Sequence, residues 1–198
     1  KWCVKNNWQT SSEIKNGIDS ILSKIDYSIS LWNKNSLLNK INDNQSNFMD
    51  KILIENFIAA EKISKLTDGA FDISLGALIE AHGFAAKERK KLTEHEIDSM
   101  MLYVGYDKLK IEDNKLIKQY PQTRIDFNAI AQGYTTDKIS EYLKRNHINQ
   151  HIVDVGGEVY ASNRKPDGQQ WRVAIENPSK DMYAEREYNS FVKLENKS

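Results

Sequence analysis

The sequence predicts a single α+β domain. Its 198 residues suffice for one domain with a sizeable core. Segments with helical spacing alternate along it with short apolar-alternating runs, the mixture expected of helices packed against sheets. No linker, repeat or low-complexity stretch divides it.

The elements follow in order. Trp2-Cys3-Val4 alternates like a strand, with the Cys3 thiol inside, and this abrupt strand-like start fits a chain whose leader has been removed. Ile14, Ile18, Ile21, Leu22 and Ile25 recur at helical spacing behind a cap at Ser11 or Ser12. A second helix is expected from about Phe48 to Leu66, burying Ile52, Ala59, Ile63 and Leu66 and stopping at Asp68-Gly69. Thr93-Glu-His-Glu96 is a capping box that opens a short helix ending near Gly105. Asp113-Asn114 separates the runs Lys108–Ile111 and Lys115–Tyr120 and reads as a hairpin turn. A helix from Asn128 to about Asn146 precedes strands at His151–Val155, Glu158–Ser162 and Trp171–Ile175, with a turn at Lys165-Pro-Asp-Gly168. Ala184–Leu194 is a further candidate strand.

Composition narrows the function classes. Basic and acidic residues balance at 28 each, and no Lys/Arg stripe with interleaved aromatics argues for nucleic acid. No apolar run approaches the length of a membrane-spanning helix. One cysteine allows neither an internal disulfide nor a multi-cysteine metal site. His82, His95, His147 and His151 show no metal-ligand spacing; His95 falls in a helix first turn and is expected in solvent, and His82 is expected to be structural.

The most informative run is Arg124-Ile-Asp-Phe-Asn-Ala-Ile-Ala-Gln-Gly-Tyr-Thr-Thr-Asp137. A short apolar strand carrying Asp126 breaks into the small residues Asn128, Ala129, Ala131 and Gly133, and a helix follows at once. Small side chains there let a ligand approach the backbone, and first-turn N–H groups favour an anion. A tight strand–helix packing corner is the competing reading. Thr67-Asp-Gly-Ala-Phe-Asp-Ile-Ser-Leu-Gly76 lies upstream and Val153-Asp-Val-Gly-Gly-Glu-Val159 downstream. The paired glycines of the latter fit either a tight hairpin or a close backbone approach to a ligand.

These three ordered blocks resemble the ApbE family of FAD:protein FMN transferases, whose members read T-x-G-x-F-D-x-x-x-G, D-x-x-x-x-A-x-G-Y-x-x-D and D-x-G-G-D/E. Ser30–Ser36 leading to Asn42, Ala81-His-Gly-Phe84 and Trp171–Pro178 add further matches, so the likeness spans nearly the whole chain. The resemblance implies one T-fold-like α+β domain over residues 1–198, with mixed or antiparallel sheets and packed helices. It implies Mg²⁺-dependent transfer of FMN from FAD to a threonine hydroxyl of a redox protein, with release of AMP. Acceptors of the family are membrane redox-pump subunits, which places the protein outside the cytoplasmic membrane on a lipoprotein anchor. An FAD hydrolase and a flavin-binding protein without catalysis remain open.

By the same resemblance, Trp32 lines the flavin nucleotide, against a bland reading as a core aromatic. Ala70, Phe71 and Asp72 lie at the adenine end of FAD. Asp72 follows a helix C-terminus, where the dipole disfavours a carboxylate, so it needs a partner: a ligand or an internal N–H. Asp126 is the flavin-side carboxylate; a carboxylate repels a diphosphate, so it should bind hydroxyl or ring N–H donors, or act through a metal. The Ala129 carbonyl helps hold Mg²⁺, and Gln132 binds the cofactor where Lys or Glu is commoner, without supplying charge. No catalytic residue is assigned. Family members continue with T-S-G-x-Y and H-x-x-D-P-x-T-G segments, which supply an Asp and a Thr to the metal site and a His implicated in catalysis. The 198 residues are therefore expected to lack the C-terminal third and to transfer no FMN alone.

Overall fold

A computed structural model describes residues 11–83, 91–177 and 188–198. The expected strand around Cys3, Phe84 of one family segment and the stretch from Pro178 to Glu187 lie outside the described residues. The helices are α1 (Ser11–Ile29), α2 (Leu37–Asn42), α3 (Lys51–Leu66), α4 (Gly76–Ala81), α5 (Glu94–Met101) and α6 (Asn128–Arg145). The strands are β1 (Leu109–Glu112), β2 (Lys115–Lys118), β3 (His151–Val155), β4 (Glu158–Ser162), β5 (Trp171–Glu176) and β6 (Tyr188–Leu194). They form three antiparallel pairs, β1–β2, β3–β4 and β5–β6. The chain divides into two compact units, one of Lys1–Ile21 with Gln132–Ser198 and one of Leu22–Ala131.

In the first unit, Ile14 and Ile18 of α1 pack with Ile139 and Leu143 of α6, Ile148 and Val153. Full burial of each such side chain contributes about 1.5–3 kcal/mol, which fixes the α6 face that turns toward β3. The turn expected at Lys165–Gly168 closes with Gly168 N–H donating to the Lys165 carbonyl at 2.9 Å. The last strand begins, within the described residues, at Tyr188.

In the second unit, Leu38, Ile41, Met49, Leu53, Ile125 and Phe127 are buried. Side-chain oxygens start its helices: Ser36 accepts from Asn39 N, Asp50 from Leu53 N, and Thr93 with Glu96 completes the expected capping box. Asp113 and Asn114 both take positive φ, 48° and 57°, the geometry that suits a two-residue hairpin, and Glu112 pairs with Lys115 across it.

Two expectations need correction. The second helix starts at Lys51, because Asp50 caps it, and not at Phe48. Its buried face is Leu53, Asn56, Phe57, Ala60 and Ser64, whereas Ala59 and Ile63 are exposed and Leu66 is 72% exposed. Asn56 and Ser64 enter the interior by donating to carbonyls one turn back, those of Ile52 and Ala60. For Ser64 this makes burial inexpensive, whereas Asn56 Oδ1 is buried without a hydrogen-bond partner among the described residues, so polarity did not mark the outer face here. The short helices α2 and α4 have no counterpart among the expected elements.

Candidate functional site

Two sequence blocks some fifty residues apart meet in the second unit. Asp126 N–H donates to the Ile73 carbonyl at 2.9 Å and Gly76 N–H to the Arg124 carbonyl at 3.1 Å, with Leu75 and Arg124 in a parallel bridge. Gly76 allows this approach: a Cβ there would lie 2.7 Å from the Arg124 carbonyl oxygen. The segment is pinned on its other side by Asn42, whose amide donates to the Ile125 carbonyl at 2.9 Å and accepts from Ile125 N–H at 2.8 Å. The Arg124 guanidinium bonds Glu80 and Asp43, each at 2.9 Å.

So held, Asp126 is only 6% exposed. Its Oδ1 accepts from Asn128 N–H at 2.6 Å and its Oδ2 from the Asn128 side-chain amide at 3.2 Å. Burial pushes its carboxyl above the usual carboxylate range; the Asn128 hydrogen bonds oppose the rise and the charge of Glu80 adds to it. A carboxylate offers about four acceptor positions, so Asp126 retains capacity for a neutral donor such as a hydroxyl or ring N–H, or for a cation. The start of α6 is less open to an anion than the sequence suggests. Asn128 N–H goes to Asp126, and Ile130 and Ala131 N–H both go to the Phe127 carbonyl. A carboxylate already occupies the positive end of the helix.

The other residues assigned by resemblance are placed as follows. Asp72 has internal partners: Oδ1 accepts from Ser74 N–H at 2.7 Å and Ser74 Oγ at 2.6 Å, and Oδ2 from Tyr106 N–H at 2.8 Å. Ser74 Oγ in turn accepts from Gly105 N–H, so Asp72 clamps the loop that enters β1. Ala70 N–H donates to the Thr67 carbonyl and Phe71 N–H to Thr67 Oγ1. Trp32 lies on the loop after α1 and is 65% exposed, so it is not a core aromatic. Asn39 holds that loop: its side-chain amide contacts the carbonyls of Leu31 at 3.0 Å and Asn33 at 2.9 Å.

Ala129 is exposed in the first turn of α6. Among the described residues no three His, Cys, Asp or Glu side chains gather as a metal site. These residues do not assemble a Mg²⁺ site by themselves, and the Ala129 main-chain oxygen is the one donor that the resemblance assigns.

In the first unit, Gln132 meets the glycine pair. Gly156 and Gly157, at φ 61° and 99°, form the two-residue turn between β3 and β4, where Val155 pairs with Glu158. Gln132 Nε2 lies where a Gly156 Cβ would come within 2.4 Å. One turn along α6, Thr136 Oγ1 donates to the Glu158 carbonyl at 3.3 Å, and Asp154 Oδ1 accepts from Gly157 N–H. The glycines therefore serve a hairpin, as one reading held, and bring it against α6. Nothing among the described residues lies within 4 Å of where a Gly133 Cβ would stand. Of the histidines, His95 is exposed and His82 bonds the Leu78 carbonyl of its own helix, whereas His151 is wholly buried on β3 between Ser140 and the Ile148 carbonyl.

Sequence reasoning paired none of Asn39, Asn42, Ser74 or Tyr106 with the site. Asn42 ends a matched block, but its partner lies 83 positions away, and nothing local in the sequence marks that contact.

The ApbE family profile matches residues 2–198, and the chain belongs to the ApbE family. The FAD:protein FMN transferase of Vibrio cholerae serotype O1 is 29% identical over 182 residues, 89% of this chain and 54% of that protein. The protein of the same name from Haemophilus influenzae is 29% identical over 201 residues, 94% and 56% of the two chains. The solved flavin transferase ApbE from Vibrio cholerae superposes with a TM-score of 0.85 at 26% identity, covering 98% of this chain and 64% of that one. The apo flavinyl transferase ApbE of Pseudomonas stutzeri gives 0.80 at 25% identity, covering 88% and 64%. The chain thus spans about half the length of the curated relatives it matches.

Proposed function

We propose that this chain is the FAD-holding part of a flavin transferase that moves FMN from FAD to a threonine hydroxyl of an acceptor protein. The observation that carries the reading is the family match over residues 2–198, with relatives named FAD:protein FMN transferase. The geometry supports it at Asp126. This buried carboxylate stands beside no cationic side chain that its hydrogen bonds record and retains acceptor capacity, so it suits a flavin or ribityl donor and disfavours the diphosphate itself. Trp32 offers an exposed aromatic face of the kind a flavin ring stacks on. Gln132, in the first unit, is assigned to the cofactor by the resemblance alone.

In the reaction, the threonine oxygen attacks the phosphorus of the FMN half. A new P–O bond forms as the bond to the bridging oxygen breaks, AMP leaves with that oxygen, and the hydroxyl proton is released. Mg²⁺, held in part by the Ala129 carbonyl, would neutralise diphosphate charge. The task of this chain's residues is to orient FAD, since phosphoryl transfer depends chiefly on positioning and charge neutralisation. The acceptor class is a membrane redox-pump subunit, met outside the cytoplasmic membrane.

The test is to incubate the whole protein with FAD and Mg²⁺, with and without a peptide of the form D/E-G-x-x-S/T-G/A-x-T. Peptide-bound flavin with equimolar AMP is expected. Free FMN and AMP regardless of peptide would make water the nucleophile and the protein an FAD hydrolase. No consumption of FAD would overturn both.

A further inference from the structure

We propose that Gly156 is a positioning residue: the β3–β4 turn is built with glycine so that the Gln132 carboxamide can rest over it, and this sets where Gln132 meets the cofactor. The inference rests on the flavin reading above for the ligand that Gln132 meets, whereas the contact between Gly156 and Gln132 is read from the geometry alone. A methyl group at Gly156 would come within 2.4 Å of Gln132 Nε2 and 3.2 Å of its Cδ. The obstructed atoms are the free end of a side chain, so an added methyl displaces the carboxamide and leaves α6 and the hairpin in place.

The turn itself is fixed independently. Gly156-Gly157 closes the β3–β4 pair, Asp154 Oδ1 accepts from Gly157 N–H at 3.1 Å, and Thr136 Oγ1 reaches the Glu158 carbonyl at 3.3 Å. These contacts seat the hairpin beside α6 without Gln132, which is exposed and frees its amide for another task. Gly157, the other half of the turn, has nothing within 4 Å of its Cβ position. Both glycines provide positive φ, but only Gly156 is also crowded by a side chain, which separates the two roles.

The test compares Gly156→Ala, Gly157→Ala, Gln132→Ala and the Gly156→Ala/Gln132→Ala double variant by FAD titration and thermal melting. Both glycine variants lower the melting temperature, because alanine is strained at positive φ. Gln132→Ala weakens FAD binding about two- to tenfold, the effect of one neutral hydrogen bond. Gly156→Ala weakens it similarly, the double variant binds no worse than Gln132→Ala alone, and Gly157→Ala leaves affinity unchanged. Without ligand, the Gln132 side-chain amide resonances, identified by their loss in Gln132→Ala, shift in Gly156→Ala. Additive losses in the double variant, equal losses from the two glycines, or unmoved amide resonances would each overturn the proposal. If the resonances shift but the wild-type protein takes up no FAD, the flavin reading fails, and the role given to this contact fails with it.

Discussion

The side-chain amide of Asn42 forms a reciprocal pair with the backbone of Ile125, donating to its carbonyl and accepting from its N–H. In effect Asn42 substitutes for a neighbouring strand along the one residue that precedes Asp126. Asn42 is 2% exposed and Ile125 1%, so neither backbone group could turn to water instead.

Asn42→Ala is therefore expected to leave two buried backbone groups unpaired and to cost about 2–4 kcal/mol, taking about 1–3 kcal/mol for each such group with partial relaxation. Urea unfolding measures it. A cost below about 0.5 kcal/mol, the ordinary range for a surface substitution, would show that the pair does not anchor Asp126.

Asp126 should trade stability against function. Its folded carboxyl titrates above the reference value of 3.8. The stability linked to its protonated form is fully present below 3.8 and is lost as pH rises through the higher folded value. Asp126→Asn, which cannot ionise, should gain on the wild type in melting temperature between pH 3.5 and 7. A gain that shrinks with rising pH would mean the carboxylate is stabilised by a partner not yet identified.

His151 responds in the opposite direction. Burial lowers its pKa from 6.5, the Ile148 hydrogen bond opposes this, and the charge of Lys144 adds to it. Nδ1 must donate to the Ile148 carbonyl, which leaves Nε2 to accept from Ser140 Oγ. The stability linked to neutral His151 is fully present above 6.5 and is lost as pH falls from there toward the folded value. Unfolding at pH 7.5 and 5.5 should show a loss in the wild type that His151→Phe does not share, and equal losses would place the acid-sensitive group elsewhere.

Gly76 and Gly133, each in a helix, separate packing from propensity. Gly76→Ala forces a methyl to 2.7 Å from the Arg124 carbonyl, and overpacking of this kind costs about 1–3 kcal/mol. Gly133→Ala enters open space within α6 and should stabilise by about 0.5–1 kcal/mol. Melting curves that fall for both would show that the α6 surface at Gly133 is already covered.

What the sequence revealed and what it concealed divide along local and non-local lines. The Asp113-Asn114 hairpin, the Thr93–Glu96 capping box and α6 were legible because their signals lie within a few residues. The buried face of α3 was not, since Ser64 Oγ and the Asn56 amide N–H bond their own helix and hide the burial of both residues from a hydropathy reading. Asp72 posed a local question, a carboxylate past a helix end, whose answer lies partly at Ser74, two positions on, and partly at Tyr106, 34 positions away. The candidate site was legible as motifs, but the contacts that hold it, above all Asn42 with Ile125, join segments that no spacing rule connects.

The most direct test of the central claim is FAD binding by calorimetry to the wild type and to Asp126→Ala, with folding of the variant confirmed by its melting curve. A wild type that binds FAD and a variant weakened by about 1–3 kcal/mol, the range for removing a ligand's hydrogen-bond partner, is the predicted result. An unchanged FAD dissociation constant in the folded variant would contradict the assignment of Asp126, and with it this account of the site.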